Sequence, residues 1–261
     1  MKIQGVIFDW AGTTIDYGCF SPVEAFISTF KSIGIDLTFE EAREPMGMLK
    51  IDHTRALLEM SSVRERFYEL FDRYPNEEDV KELYAKFEPT LFKTLKDYVV
   101  LNPYVKETMD KLKEMGIKIG STTGYTKEMM DMILPVAKEK GYNPSCCIAA
   151  DELGYGRPYP YMMYENARRL NIYPNKTIVK VGDTVVDMKE GINSGAWAVG
   201  VILGSSELGL TYEEVQRMSR SELELRMEEV RKKLYAAGAD YVIDDMRGLI
   251  PVIEDINKKL A

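Results

Sequence analysis

The chain has 261 residues, 45% of them hydrophobic and 29% charged, a balance that suits a soluble globular protein with a full core. A formal charge of −8 and the lack of a lysine–arginine stripe exclude nucleic-acid binding through a broad basic face, and no apolar stretch nears bilayer length. Cys146 and Cys147 are adjacent and Cys19 is isolated, so there is no CxxC pair and no disulfide framework; with Lys2 leading straight into strand-like sequence, a cytoplasmic location is expected.

Val6, Ile7 and Phe8 form an apolar run that reads as a buried strand, closed by Asp9 and the small polar turn Gly12-Thr13-Thr14. A carboxylate at a buried strand end is costly unless it is paired, bound to metal or used, although a turn or helix cap would explain it in isolation. From 21 to 99 the period becomes helical in "PVEAFISTFKSIG", "TFEEAREPMGMLKIDHTRALLEM", "VRERFYELFDRY" and "NEEDVKELYAKFEPTLFKTLKDY", punctuated at Gly34, Pro45, Gly47 and Pro75. Within it, Lys50 follows the apolar Met46-Gly47-Met48-Leu49, company that would desolvate it and lower its pKa. His53, the sole histidine, lies three residues on and shares its face of a helix. Taken alone, the segment reads more readily as a helix with an exposed lysine and a satisfied histidine.

From Pro103 onward strands alternate with helices. Strands are predicted at 117–123, 145–151, 176–184, 196–203 and 239–245, and helices at 127–141, 159–172 and 186–195. The predicted fold class is therefore α/β, a doubly wound parallel sheet (Rossmann-like) covered on both faces, with ligands at the carboxyl ends of its strands. Because this sheet needs strand 1, residues 19–99 are expected to be a helical cap inserted into a core of 1–18 and 100–261.

Polar groups close successive strands at that edge. They are Asp9, then Ser121-Thr122-Thr123-Gly124, then Arg157 before a helix start, then Asp183 with Asp187 four residues later. The ordered set suits phosphoryl chemistry. An aspartate can attack phosphorus, while hydroxyls, backbone N–H groups and arginine hold the phosphoryl oxygens. Asp9 and Asp183 offer hard oxygens to Mg2+, which relieves repulsion between the attacking carboxylate and an anionic target.

"DWAGTT", the strand-end threonine, the basic residue before proline and "GDTVVD" resemble the four motifs of the haloacid dehalogenase superfamily in order, spacing and strand placement. The resemblance implies that Asp9 is the nucleophile and that Thr123 and Gly124 bind phosphate. It also implies that Arg157 stands where many members have lysine, that Asp183 ligates Mg2+ and that Asp187 supports the metal from behind. Phosphatases of the superfamily normally carry a second aspartate two residues after the nucleophile, which protonates a leaving alkoxide. Here that residue is Ala11. A carbon leaving group has no use for that proton but needs an electron sink, which a lysine-derived iminium supplies.

"PMGMLKIDH", "IGSTTGYT", "GRPYP", "KVGDT" and "GVILGSSELGL" are similar to a branch of the superfamily that cleaves carbon–phosphorus bonds in phosphonate degradation. That similarity implies a Schiff base at Lys50, a metal held by Asp9, Asp183 and the backbone carbonyl of Ala11, and a site lined by Cys19, Met46, His53 and Tyr125. It further implies a small phosphonate substrate and a homodimer formed through the cap. His53 is the candidate for proton transfer, through a bound water. Of the rival readings, a phosphomonoesterase or phosphomutase is disfavoured by Ala11, and a halide-releasing dehalogenase leaves "GDTVVD" unexplained. A phospho-acceptor module without turnover is the non-enzymatic alternative. The glycines of "GYGRPYP" follow no strand–GxGxxG–helix unit, which argues against dinucleotide binding.

Overall fold

A computed structural model describes residues 1–261. Six parallel strands form one sheet: β1 (Gly5–Phe8), β2 (Lys118–Thr123), β3 (Cys146–Ala149), β4 (Ile178–Gly182), β5 (Trp197–Val201) and β6 (Tyr241–Ile243), in the order β3-β2-β1-β4-β5-β6. The chain builds outward from β1 in one direction, returns, and builds outward in the other. The reversal of strand order at β1 opens a crevice at the carboxyl edge, where doubly wound sheets bind ligands. Phe8 lies opposite Ser121 on one side and Val181 on the other, so the residues after β1, β2 and β4 emerge together. Asp9 N–H continues the ladder by donating to Val181 O at 2.9 Å.

Between β1 and β2 stand α1 (Phe20–Lys31), α2 (Phe39–Arg43), α3 (Lys50–Glu59), α4 (Ser61–Phe71), α5 (Glu77–Thr94) and α6 (Val105–Glu114). Helix α5 packs against α1 and α3, and α3 against α4. Phe26 and Phe87 stack at 4.1 Å in the middle of this group. The remaining helices cover the sheet: α7 (Lys127–Glu139), α8 (Tyr161–Arg169), α9 (Val185–Ser194), α10 (Tyr212–Arg217), α11 (Arg220–Ala236) and α12 (Leu249–Lys259). No helix is long and apolar enough to cross a membrane.

Two departures from the sequence reading matter for the site. The stretch from 38 to 60, helical in period but punctuated at Pro45 and Gly47, is two helices: α2 ends at Arg43 and α3 starts at Lys50. Pro45 and Gly47 lie in the break, and Gly47 has φ +89°, a left-handed backbone that favours glycine. Most of the predicted strands and helices are also trimmed by one or more residues, the helix predicted at 186–195 is shifted to Val185–Ser194, and the end of 145–151 is a short 3-10 turn, Ala150–Glu152. Frayed ends of this kind lie beyond the resolving power of periodicity.

Candidate active site

Asp9, Arg157, Asp183 and Asp187 converge beneath the carboxyl ends of β1, β2 and β4. Arg157 Nη2 lies 2.7 Å from Asp9 Oδ1, and its Nη1 lies 3.2 Å from Asp187 Oδ1. The carboxylates of Asp9, Asp183 and Asp187 bring ligand oxygens within 4.8 Å of one another, all buried. Asp183 is held on both oxygens: Thr13 Oγ1 donates to Oδ1 at 2.9 Å and Ser206 N–H donates to Oδ2 at 2.7 Å. Gly12 explains how the chain passes so close, because a Cβ there would lie 2.3 Å from Asp183 Oδ2. Asp187 closes a capping box at the start of α9, accepting the Thr184 hydroxyl at 2.6 Å and the Thr184 N–H at 3.2 Å.

The charges do not balance within the protein. Asp9, Asp183, Asp187 and Glu190 set four buried carboxylates against two buried cations, Arg157 and Lys180. Burial raises the pKa of Asp9 against the pull of Arg157, and burial with repulsion from Asp9 and Asp187 pushes Asp183 well above the usual carboxylate range. Asp187 goes the other way, because Arg157 and Lys180 overcome the cost of its burial. A divalent cation among Asp9, Asp183 and the Ala11 carbonyl would supply the missing charge, and the all-oxygen donor set fits Mg2+.

Ten of the twelve residues singled out in the sequence line one small cavity of about 20 Å³: Asp9, Ala11, Cys19, Met46, Lys50, Thr123, Gly124, Tyr125, Arg157 and Asp183. Gly47 and Thr184 complete its wall. That volume is on the order of a single water, so the helical segment is closed over the crevice. A larger cavity of about 110 Å³, beside Tyr17 and Tyr104, holds none of those twelve residues.

Lys50 reaches the cavity as the first residue of α3 and is only 3% exposed. Its Nζ lies 3.8 Å from Met46 Sδ and 5.3 Å from the Tyr125 ring centre. Burial lowers its pKa, with the negative field of Asp9 opposing. The fit of the segment before it depends on glycines. A Cβ on Gly47 would lie 2.5 Å from Val186 Cγ2, and one on Gly124 would lie 2.4 Å from Met48 O. The Cys19 thiol and the Tyr125 phenol are both driven well above their ordinary pKa values by burial, so they enter the site protonated.

His53 and Asp187 are not part of the cavity wall. The His53 ring is fully buried and stacks on Phe26 at 4.0 Å, with Nε2 donating to Ala42 O at 3.0 Å. That bond assigns the proton to Nε2 and leaves Nδ1 as an acceptor without a partner. Burial, then the charge of Lys50, holds its pKa well below the ordinary value.

Several residues around the site escaped the sequence reading. Lys180 and Glu190 contact Asp187 and Arg157 from below, and Thr13, Thr184 and Ser206 brace the aspartates. Lys180 carried a signal, as a lone charge inside the buried strand "IVKVG", and Glu190 lies three residues after Asp187 on one helix face. Ser206 comes from the loop after β5 and had none.

The sequence matches the haloacid dehalogenase-like hydrolase family over residues 3–195. It is 55% identical over 259 residues to a phosphonoacetaldehyde hydrolase from Bacillus cytotoxicus, covering 99% of this chain and 98% of that protein. It is 52% identical to a bifunctional phosphonoacetaldehyde hydrolase/aminoethylphosphonate transaminase from Clostridioides difficile, matching 99% of this chain and 41% of that longer protein. A crystal structure of a phosphonoacetaldehyde hydrolase-like protein from Oleispira antarctica superimposes with a TM-score of 0.98 at 40% identity, over 100% of this chain and 95% of that one. Relatedness at this level over the full length places the chain among the haloacid dehalogenase-like hydrolases and, within them, in the phosphonoacetaldehyde hydrolase family.

Proposed function

We propose that the protein hydrolyses the carbon–phosphorus bond of phosphonoacetaldehyde, giving acetaldehyde and phosphate, with Lys50 as electron sink and Asp9 as nucleophile. The observation that carries this reading is that one closed cavity holds a desolvated lysine amine and a strand-end aspartate, with alanine at the position of the usual acid.

The Lys50 amine adds to the aldehyde carbonyl and loses water to give a protonated imine. Burial favours the neutral amine that this addition requires. Asp9 then forms an O–P bond as the C–P bond breaks, and the electron pair of that bond moves into the imine to give an enamine. Protonation of the enamine carbon and hydrolysis of the resulting imine release acetaldehyde and restore Lys50. Water cleaves the aspartyl phosphate. Arg157, Thr123 and the Gly124 backbone serve as the cradle for the phosphoryl oxygens, with Met46 and Tyr125 packed around the lysine. Asp187 holds Arg157 and Thr184. Cys19 closes the wall as a neutral thiol, and His53, whose free Nδ1 lies one turn beyond Lys50, is the residue proposed to move protons through a water.

Asp9, Asp183 and the Ala11 carbonyl would hold Mg2+, which would offset the repulsion between the attacking carboxylate and the phosphonate. Residues 19–99 act as a cap that must open for the substrate to enter, with 1–18 and 100–261 as the core. A homodimer through the cap is supported by Tyr68, Leu70, Phe71 and Tyr74, apolar side chains exposed on and just after α4.

Borohydride reduction tests the central claim. With phosphonoacetaldehyde present, mass mapping is expected to find a substrate-derived adduct on Lys50. Undiminished turnover with no adduct on any lysine would overturn the Schiff-base reading.

A further inference from the structure

Lys180 and Glu190 are fully buried charged residues that the reaction above does not use. Lys180 Nζ lies 2.9 Å from Asp187 Oδ1 and 3.1 Å from Glu190 Oε2, and it donates to Thr122 Oγ1 at 2.8 Å. Arg157 reaches the same three residues: Nε donates to Glu190 Oε2 at 3.0 Å, Nη2 donates to Thr122 Oγ1 at 2.8 Å, and Nη1 forms an ion pair with Asp187 Oδ1 at 3.2 Å. Neither cation has a lone pair, so the Thr122 hydroxyl accepts from both. Its own hydrogen is thereby directed to Glu190 Oε2, 3.0 Å away. That single oxygen accepts from Arg157 and Thr122, with the Lys180 ammonium beside it as an ion pair.

The consequence lies in Arg157. A guanidinium bonded at Nε can no longer turn about its last side-chain bond, so the edge it presents is set. Here Nη2 lies against Asp9 Oδ1 at 2.7 Å, with Thr122 O as a second restraint at 2.8 Å. Nη1 then turns toward Gly47 O at 3.3 Å, in the segment that leads to Lys50. One side-chain orientation therefore addresses both the nucleophile and the segment carrying the amine.

We propose that Glu190, itself held by Lys180, is a positioning residue of the reaction: it touches no substrate and acts by seating Arg157 on Asp9. A buried ion pair kept only for stability would be poorly chosen, because apolar residues of similar volume commonly do as well. The inference rests on the reading in which Asp9 and Arg157 serve phosphoryl transfer, and its test separates the two.

Phosphate release from phosphonoacetaldehyde is measured at saturating Mg2+ for the full chain and for Glu190→Gln, Arg157→Lys and the double variant, with the melting midpoint of each. Glu190→Gln is expected to lose about 10- to 100-fold in kcat/KM, and Arg157→Lys at least about 100-fold. Lysine has no Nε edge to seat, so the double variant is expected to fall within about twofold of Arg157→Lys alone. A merely structural Glu190 would give losses that multiply and that follow the melting midpoints. If Glu190→Gln does not fold, Glu190→Gln/Lys180→Met removes one charge of each sign and is expected to show the same coupling to Arg157→Lys. Multiplying losses, or Glu190→Gln within twofold of the wild type, would overturn the positioning role while leaving Asp9 and Arg157 in theirs. Full activity in Arg157→Lys would show that no set guanidinium edge is needed and would overturn the positioning role as well, whereas undiminished phosphate release in Asp9→Asn would remove the reading beneath it.

Discussion

At the scale of single residues, the proposed mechanism divides the chemistry between Ala11 and Lys50, which line one cavity. Under it, Ala11 would give a carbon leaving group no proton, and Lys50 would give its electrons somewhere to go. Lys50→Arg retains the charge but not the nucleophilic amine. Phosphate release from phosphonoacetaldehyde is expected to fall by at least about 1000-fold, with the borohydride adduct gone. Adding Ala11→Asp to this variant is not expected to restore activity, since an acid placed for an oxygen leaving group does nothing for carbon. Recovery of phosphonoacetaldehyde turnover in that double variant would refute the division of roles. Asp9, Arg157 and Asp183 were legible in the sequence because each charge interrupts a pattern at a predicted strand end. Lys50 was legible only beside Ala11. Ser206 and Thr13 were not, because they hold Asp183 across 23 and 170 residues of sequence and nothing local marks them.

At the scale of elements, the break between α2 and α3 sets where the amine goes. The helical period runs on across this break, which only the punctuation at Pro45 and Gly47 marks, because periodicity does not register the left-handed turn at Gly47 that folds the segment onto Thr184 and Val186. Gly47→Ala adds a methyl into a 2.5 Å gap at a φ of +89°, so the segment must lift. The expected result is a loss of about 100-fold or more in kcat/KM, with a stability cost of only about 1–3 kcal/mol by urea unfolding. Near-normal kinetics would show that the seating of this segment does not govern Lys50.

Helix α1 poses a second test at this scale. Its first turn is held by Asp16, which accepts from the N–H groups of Phe20 and Ser21, both at 3.0 Å. Burial nevertheless pushes this carboxyl from 3.8 up to about 7, despite those bonds and the nearby Arg43. The folded state therefore keeps a proton that the unfolded chain releases between about pH 4 and 7, so this group's contribution to stability is lost as pH rises through that window. Asp16→Asn is expected to flatten the fall in unfolding free energy between pH 5 and 7.5. An unchanged pH slope would mean that Asp16 is already ionised when folded.

At the scale of the whole molecule, the doubly wound parallel sheet was readable from alternating strands and helices, because buried parallel strands need helical crossovers on both faces. The state of the buried charge was not, since it depends on which carboxylates the fold brings within 4.8 Å. Four of them face two cations, and burial shifts both Asp9 and Asp183 upward, with repulsion from Asp187 added at Asp9 and from Asp9 and Asp187 at Asp183. Without metal, each is a group whose folded pKa exceeds its unfolded one, so metal-free protein is expected to lose stability as pH rises above about 4. Mg2+ binding the folded site alone reverses that loss, by about 2.7 kcal/mol at a hundred times Kd, or roughly 5–10 °C in Tm for a chain of this size. Asp183→Asn separates the two effects, because an amide can accept from Ser206 N–H and donate to the Thr13 hydroxyl, which then reverses its role, while removing the repelling charge. In EDTA at pH 8 this variant is expected to melt above the wild type, and added Mg2+ is expected to move it little. A metal-free wild type equally stable at pH 5 and pH 8, or an Asp183→Asn protein that Mg2+ stabilises as fully as the wild type, would show that the charge deficit is met by something other than the metal.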